Sequence, residues 1–183
     1  MLKIPEIKGD TVLLRKVREK DIDDRYEIGR HNEFEYMCGG EKLETPQFPS
    51  RETWVNWYKN QVNEELLWVI DYQGKCIGTA GFHNVSPEDN SATYKIGIFD
   101  PNFHSKGIGT EVTKLLVKFG FDKMKWHRID LKVLEYNLRG ICCYEKCGFK
   151  QDGILRESSF VEGRYYSDIV MSILDYEYEE LYK

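Results

Sequence analysis

The stretch Phe103-His104-Ser105-Lys106-Gly107-Ile108-Gly109-Thr110 concentrates residue types suited to holding an anion. Glycine lets the backbone approach a ligand with no Cβ in the way, and Lys106 adds a positive charge. A helix starting inside the stretch leaves its first N–H groups unpaired, and its macrodipole favours negative charge there. Such a turn suits a pyrophosphate; the same glycines also suit a loop that merely redirects the chain. Spacing excludes two common phosphate loops. The pattern G-x-x-x-x-G-K-[ST] does not occur. A dinucleotide fingerprint needs glycine where Val112 stands, and its turn follows a strand directly, whereas 100–106 intervene here.

Metal and thiol chemistry find less support. Cys38, Cys76, Cys142, Cys143 and Cys147 form no paired CxxC framework with metal-ligand spacing. Cys143 and Cys147 share one face if their segment is helical, where core or surface thiols suit them better than zinc ligands. His31 and His127 read as structural or exposed.

The elements that position these residues follow from pattern. A strand is expected over 11–17, then a helix from Asp21 behind an acidic cap. Cys38-Gly39-Gly40 and Pro46-Gln47-Phe48-Pro49 make a loop, and a second helix begins near Ser50, with Ser50-Arg51-Glu52-Thr53 as its cap. Strands over 66–72 and 75–82 meet at a tight Gln73-Gly74 turn, and a third covers 92–99. Val112, Leu115, Leu116, Phe119 and Phe121 form an apolar stripe for a helix over 107–124. A buried strand over 128–134 leads to a helix over 137–146, with Asn137 placed as its N-cap and Gly148 suited to its left-handed C-terminal position. Strands over 149–157 and 164–174 precede a polar tail. The order β-α-α-β-β-β-α-β-α-β-β is a mixed α/β (α+β-like) arrangement, unlike the strict alternation of a doubly wound fold.

At 183 residues, the chain fits a single domain over 1–183. Its 41% hydrophobic content supplies a core without disulfide or metal staples. Lys and Arg total 26 against 31 Asp and Glu, a net charge of −5 that argues against nucleic acid and is compatible with a cationic partner. No run approaches the ~18 apolar residues of a membrane span. The opening Met1-Leu2-Lys3-Ile4-Pro5 lacks a secretory apolar run. The expectation is a soluble, cytoplasmic protein.

Three segments in order resemble one family. His104-Ser105-Lys106-Gly107-Ile108-Gly109 is similar to the [QR]-x-x-G-x-[GA] coenzyme A signature of GNAT-superfamily N-acetyltransferases. Ala92-Thr93-Tyr94-Lys95-Ile96-Gly97-Ile98 and Asp100-Pro101 match the strand before it, and 137–149 resembles the N-x-x-A-x-x-x-Y-E-K-x-G-F segment after it. Glu162-Gly163-Arg164-Tyr165-Tyr166-Ser167-Asp168 and Met171 resemble the RimJ/RimL-like branch, whose members acetylate ribosomal-protein N-termini. His104 stands where Gln, Arg or an aromatic is usual, and Gly140 where Ala is common.

The resemblance implies a GNAT fold: a central, mostly antiparallel sheet of about seven strands with a splayed pair and about four flanking helices. It implies acetyl-coenzyme A as co-substrate, no metal, and transfer to a primary amine by direct attack. The acceptor would be a small amine, such as a polyamine, aminoglycoside or amino sugar, or a peptide N-terminus; nucleic acid and membrane are not expected partners, and a homodimer is open to it. Pantetheine would lie between the strands near Ile98 and 129–134, as an added strand would. The loop from His104 to Thr110 would hold the phosphates, a backbone N–H near Ile98 would polarise the thioester, and Asn137 would bond the pantetheine arm. Tyr144 would be the general acid, its phenol of pKa near ~10 being protonated at neutral pH. A carboxylate base common in the family is replaced by Tyr94, leaving a water relay or another residue such as His83. Glu33, Glu35, Tyr36, Glu41, Glu44 and Trp57 would receive a cationic acceptor or form a solvated face. A non-catalytic coenzyme A-binding sensor is the alternative.

Overall fold

A computed structural model describes residues 4–183; Met1, Leu2 and Lys3, the start of the segment read above for a secretory run, lie outside the described residues. The strands are β1 (Ile7–Lys8), β2 (Leu13–Arg15), β3 (Leu67–Tyr72), β4 (Lys75–Ser86), β5 (Ser91–Ile98), β6 (Arg128–Leu134), β7 (Lys150–Val161) and β8 (Arg164–Leu174). The helices are α1 (Asp21–Ile28), α2 (Asn32–Met37), α3 (Arg51–Val62), α4 (Ile108–Phe119), α5 (Leu138–Glu145) and α6 (Asp175–Tyr182). One sheet takes the order β1-β2-β3-β4-β5-β6-β8-β7, and every neighbouring pair is antiparallel except β5 and β6.

The expected elements form, with additions. β1, α2 and α6 were not anticipated, and the tail read as polar is helical because Tyr178 is buried and stacks on Phe121 at 4.9 Å. The long helix stops being α-helical at Phe119 and continues as one wider π turn, Gly120–Met124. The Ser50 hydroxyl makes no cap bond to the backbone; it lies 3.4 Å from the Thr53 hydroxyl instead. At the β3–β4 hairpin Gln73 and Gly74 both have positive φ, 53° and 87°, as its right-handed twist requires.

The main core fills the face of the sheet covered by α4 and α6. Val112 and Leu116 from α4 are fully buried against Trp68, Ile70, Ile77, Ile129 and Ile173. Burying each aliphatic side chain of this size stabilises by ~1.5–3 kcal/mol, which makes α4 a fixed support for whatever its N-terminus holds. The opposite face packs Ile28, Val69, Cys76 and Phe99 against Phe34 and Trp57.

A buried charge network locks β2, α1 and β3 together. Arg15 donates from Nε to Asp71 at 2.7 Å and from both terminal nitrogens to Asp21 at 2.8 Å. Asp21 also accepts from the Arg18 backbone N–H at 2.7 Å, and Asp71 from that of Gly74 at the same distance. The two carboxylates, through hydrogen bonds and charge, push the Arg15 guanidinium above its ordinary value despite the opposing effect of burial. Removing one partner strands a buried charge, so Arg15→Met should cost about 3–5 kcal/mol, read as a lower urea midpoint at unchanged slope.

Candidate functional site

β5 and β6 pair only through Ser91↔Arg128, Ala92↔Ile129 and Thr93↔Asp130. Beyond Thr93 the strands part. The Phe99 N–H bonds the Ile77 carbonyl of β4 at 2.9 Å, so alternation along β5 turns the backbone groups of Tyr94, Ile96 and Ile98 the other way, into the gap. The Ile98 carbonyl accepts from His104 Nε2 at 2.9 Å, which leaves its N–H as the group facing the gap.

The gap opens into a cavity of about 340 Å³ lined by Ile96, Ile98, His104, Ser105, Gly107, Gly109, Thr110, Asn137, Arg139, Cys143, Tyr144 and Lys146, among others. Gly107 caps α4 with φ 82° and makes no side-chain cap bond. Nothing lies within 4 Å of where its Cβ would stand, so glycine is required here by conformation and not by crowding. The Glu111 N–H is bonded to the Gly107 carbonyl at 3.0 Å; the N–H groups of Ile108, Gly109 and Thr110 precede that first helical bond and are available to an anion.

Eight of the ten expected site residues therefore line one cavity. The side chains of Lys106 and Ile108 do not: Lys106 Nζ sits 5.6 Å from the Phe103 ring centre, and Ile108 is buried in the core. Only their backbones are placed to serve the turn. Arg139 and Lys146, which sequence reasoning passed over, bring two cations to the cavity from α5 and its end. Their spacing with Cys143, four and three residues, puts all three on one helical face and was the available signal.

Asn137 caps α5, its side-chain oxygen accepting from the Gly140 N–H at 2.9 Å. Its amide nitrogen reaches the Met37 carbonyl at 3.4 Å, joining α5 to α2. At the other end Gly148, with φ 93°, donates to the Glu145 carbonyl and closes the helix. Tyr144 packs edge-on against Tyr94 at 6.3 Å and against Phe149 at 5.9 Å. Burial first, then the neighbouring Cys143, holds its phenol well above the ordinary value.

A second cavity of about 510 Å³ lies beside the first and shares Met37, Cys38, Ile96, Asn137 and Tyr144 with it. Its remaining wall includes His83, Thr93, Lys95, Asp130, Lys132, Ser159, Phe160 and Asp168. Tyr94 also reaches it, but its hydroxyl is buried and bonded to Thr113 at 3.0 Å. The His83 ring on this wall is held below the usual imidazole range, by desolvation and then by Lys95.

The acidic group expected to meet a cation is arranged differently. Glu33 is bonded to Arg139 and stands 3.3 Å from His104 Nδ1, and Glu35 pairs with Arg30 at 2.7 Å. Arg139 is the main cause of the lowered Glu33 carboxyl. Tyr36 stacks on Tyr136, and Trp57 packs on Phe99. None of Glu33, Glu35, Tyr36, Glu41, Glu44 and Trp57 lines either cavity.

A family model described as acetyltransferase (GNAT) domain matches residues 11–150. Spermidine N(1)-acetyltransferase of Escherichia coli (strain K12) is 28% identical over 114 residues, which cover 62% of this chain and 61% of that protein. The SPbeta prophage-derived N-acetyltransferase YokL of Bacillus subtilis (strain 168) is 22% identical over 173 residues, 93% of this chain and 94% of that one. The crystal structure of spermidine N-acetyltransferase from Vibrio cholerae, in complex with CoA and spermine, superposes with a TM-score of 0.76 at 23% identity, covering 93% of this chain and 99% of that chain.

Cys143 lies on the first cavity with its sulfur 3.5 Å from the Thr110 hydroxyl. Its thiol is lowered, chiefly by a hydrogen bond from Cys147, while Cys147 itself and buried Cys76 are raised. Iodoacetamide at pH 7 should accordingly alkylate Cys143 ahead of Cys76 and Cys147, as mapped by peptide mass.

Proposed function

The chain belongs to the GNAT acetyltransferase family, and from that premise we propose that it moves the acetyl group of acetyl-coenzyme A to a primary amine by direct attack in a ternary complex. The observation that carries this reading is the pair of cavities meeting at Tyr144 and Asn137, one beside an anion-ready helix start and a free strand edge.

The residues present fit coenzyme A. Available N–H groups from Ile108 to Thr110 face a pyrophosphate, and Lys146 adds positive charge to the same wall, where Arg139 is already bonded to Glu33. The backbone groups of Ile96 offer a pantetheine amide the pairing that β6 gives up. Bound there, the co-substrate supplies an activated acetyl thioester. The Ile98 N–H, its carbonyl being held by His104, polarises the thioester carbonyl. Asn137 serves as cap through its oxygen and bonds the pantetheine arm through its amide nitrogen.

Tyr144 stands where the cavities join and keeps its proton at neutral pH, so it protonates the departing thiolate. The amine arrives as an ammonium of pKa near ~10 and must lose a proton before attack. Tyr94 is unsuited as base, being buried, bonded to Thr113 and held well above its ordinary value by desolvation. His83 shares the acceptor wall and remains neutral into mildly acidic solution, and it takes up that proton directly or through water.

The acceptor is a small amine or a peptide N-terminus. Polyamines enter as candidates through the names of two relatives, while the RimJ/RimL-like placement rests on the segment around the Glu162-Gly163 turn and the start of β8.

An acceptor screen scored by thiol release and by the mass of an added acetyl group tests the reading. Acetyl-coenzyme A binding with no turnover on any amine would leave the non-catalytic sensor. Tyr144→Phe should lower kcat by about 10²-fold with little change in coenzyme A affinity; unchanged turnover removes Tyr144 from the chemistry. The acid limb of kcat/KM should fall below about pH 6.5, the ordinary imidazole value, because the His83 pKa is depressed, and His83→Gln should abolish that limb. Coenzyme A should also shield Cys143 from iodoacetamide.

A further inference from the structure

The second cavity carries charges that the proposed chemistry leaves unused. We propose that the acceptor bears an anionic group, a carboxylate or a phosphate, a few bonds from its reacting amine, and that Lys95 and Lys132 receive it. The proposal deepens the acetyl-transfer reading and rests on it.

Lys95 on β5 and Lys132 on β6 both line this cavity. The parallel register runs from Ser91↔Arg128 to Thr93↔Asp130, and the same offset sets Lys95 opposite Lys132 just past the last paired residues. Alternation along both strands puts the two on the face of Thr93 and Asp130, away from the core that α4 covers. They flank the opening of the splay from either side. Both are exposed, and among the described residues no ion pair engages either ammonium.

The carboxylates of the cavity are already answered. Asp168 accepts from the Ser158 hydroxyl at 2.6 Å and the Ser159 hydroxyl at 2.8 Å. Asp130 faces Arg128 Nε at 3.6 Å. His83, paired in register with Thr93, lines the same wall between Lys95 and Asp130. Asp130 and Asp168 are each engaged within the protein, whereas among the described residues the two ammonium groups at the mouth of the splay have no ion-pair partner and are free to receive an anion. A polyamine would instead bring its further ammonium groups against Lys95 and Lys132, where like charges repel.

Spacing sets the kind of acceptor. Ile96 belongs to both cavities and is one strand step from Lys95, ~3.3 Å along β5. Lys95, Lys132 and Tyr144 line this one cavity, so an anion at the lysines and an amine at Tyr144 belong to one molecule, or one end of a peptide, that spans it.

The test compares matched amines on the whole protein with saturating acetyl-coenzyme A. β-Alanine is set against its amide, glucosamine 6-phosphate against glucosamine, and spermidine stands as the polycation. The anionic member of a pair should be favoured in kcat/KM by about tenfold, equivalent to ~1.4 kcal/mol. Which pair shows the preference separates carboxylate from phosphate. In the Lys95→Glu, Lys132→Glu double variant the ratio should invert toward the neutral member and toward spermidine, with coenzyme A binding by calorimetry as the check on folding. Equal or better use of the neutral amine or of spermidine by the native protein, or a preference that survives in the folded double variant, overturns the proposal. Acetyl-coenzyme A binding with no acetylation of any amine overturns the transfer reading itself, and this inference with it. A double variant that no longer binds coenzyme A is replaced by the single Lys95→Gln and Lys132→Gln variants, each of which should reduce the preference; if neither does, the proposal falls.

Discussion

Two parallel strands that begin hydrogen-bonded and then diverge leave backbone groups without partners, and a fold can keep such a gap only if both sides are held from elsewhere. β5 is held by β4 along its whole length, from Ser86↔Ser91 to Gly78↔Ile98, and β6 by β8 from Arg128↔Leu174 to Leu134↔Asp168. Each strand of the splayed pair thus has a partner along its whole length on one side, β5 with one irregularity after His83, and an interrupted ladder on the other. The main chain in the gap is exposed to a ligand without making the sheet unstable, because the cost of its unmade bonds falls on a few residues after Thr93. Both cavities, the placement of Tyr144 and the approach of α4 all follow from that interruption.

The start of α4 depends on the same gap from a different direction. Its buried stripe fixes the axis of the helix against the sheet, and Glu111 ties it to the chain entering β2 by accepting from the Thr11 and Val12 N–H groups. The available amides at 108–110 are held still by contacts made farther along the helix. Tyr94 adds to this from beneath, through Thr113, whose own hydroxyl donates to the Gly109 carbonyl at 2.7 Å. A tyrosine at a position where a carboxylate is common thereby becomes a prop for the turn.

What the sequence made legible were features set by neighbours in the chain. The stripe of α4, the Asn137 cap, the Gly148 terminus and the Gln73-Gly74 turn each need only residues a few positions apart. α2 escaped because its six residues bury none of their number and it carries no side-chain cap, so it has no apolar stripe to find. Yet Phe34 and Met37 reach the first cavity from it. The acidic residues nearby looked free because their partners lie far away in sequence, Arg139 more than a hundred positions from Glu33. The splay itself depends on where β8 and β4 pair, and local pattern does not encode it.

Gly97 lies under the Phe34 ring so closely that a Cβ there would stand 2.7 Å from a ring carbon. The floor beneath α2 is therefore a bare strand, and it tolerates no side chain without lifting the helix. Above it, α2 is tied to the rest of the site mainly by side chains: Arg139 and His104 meet Glu33, Tyr136 stacks on Tyr36, and Tyr136 and Asn137 bond the Tyr36 and Met37 carbonyls. Such a layout separates an immutable base from a replaceable roof. Within this architecture the walls that one small helix lends to both cavities can change while the splayed strands beneath them stay as they are.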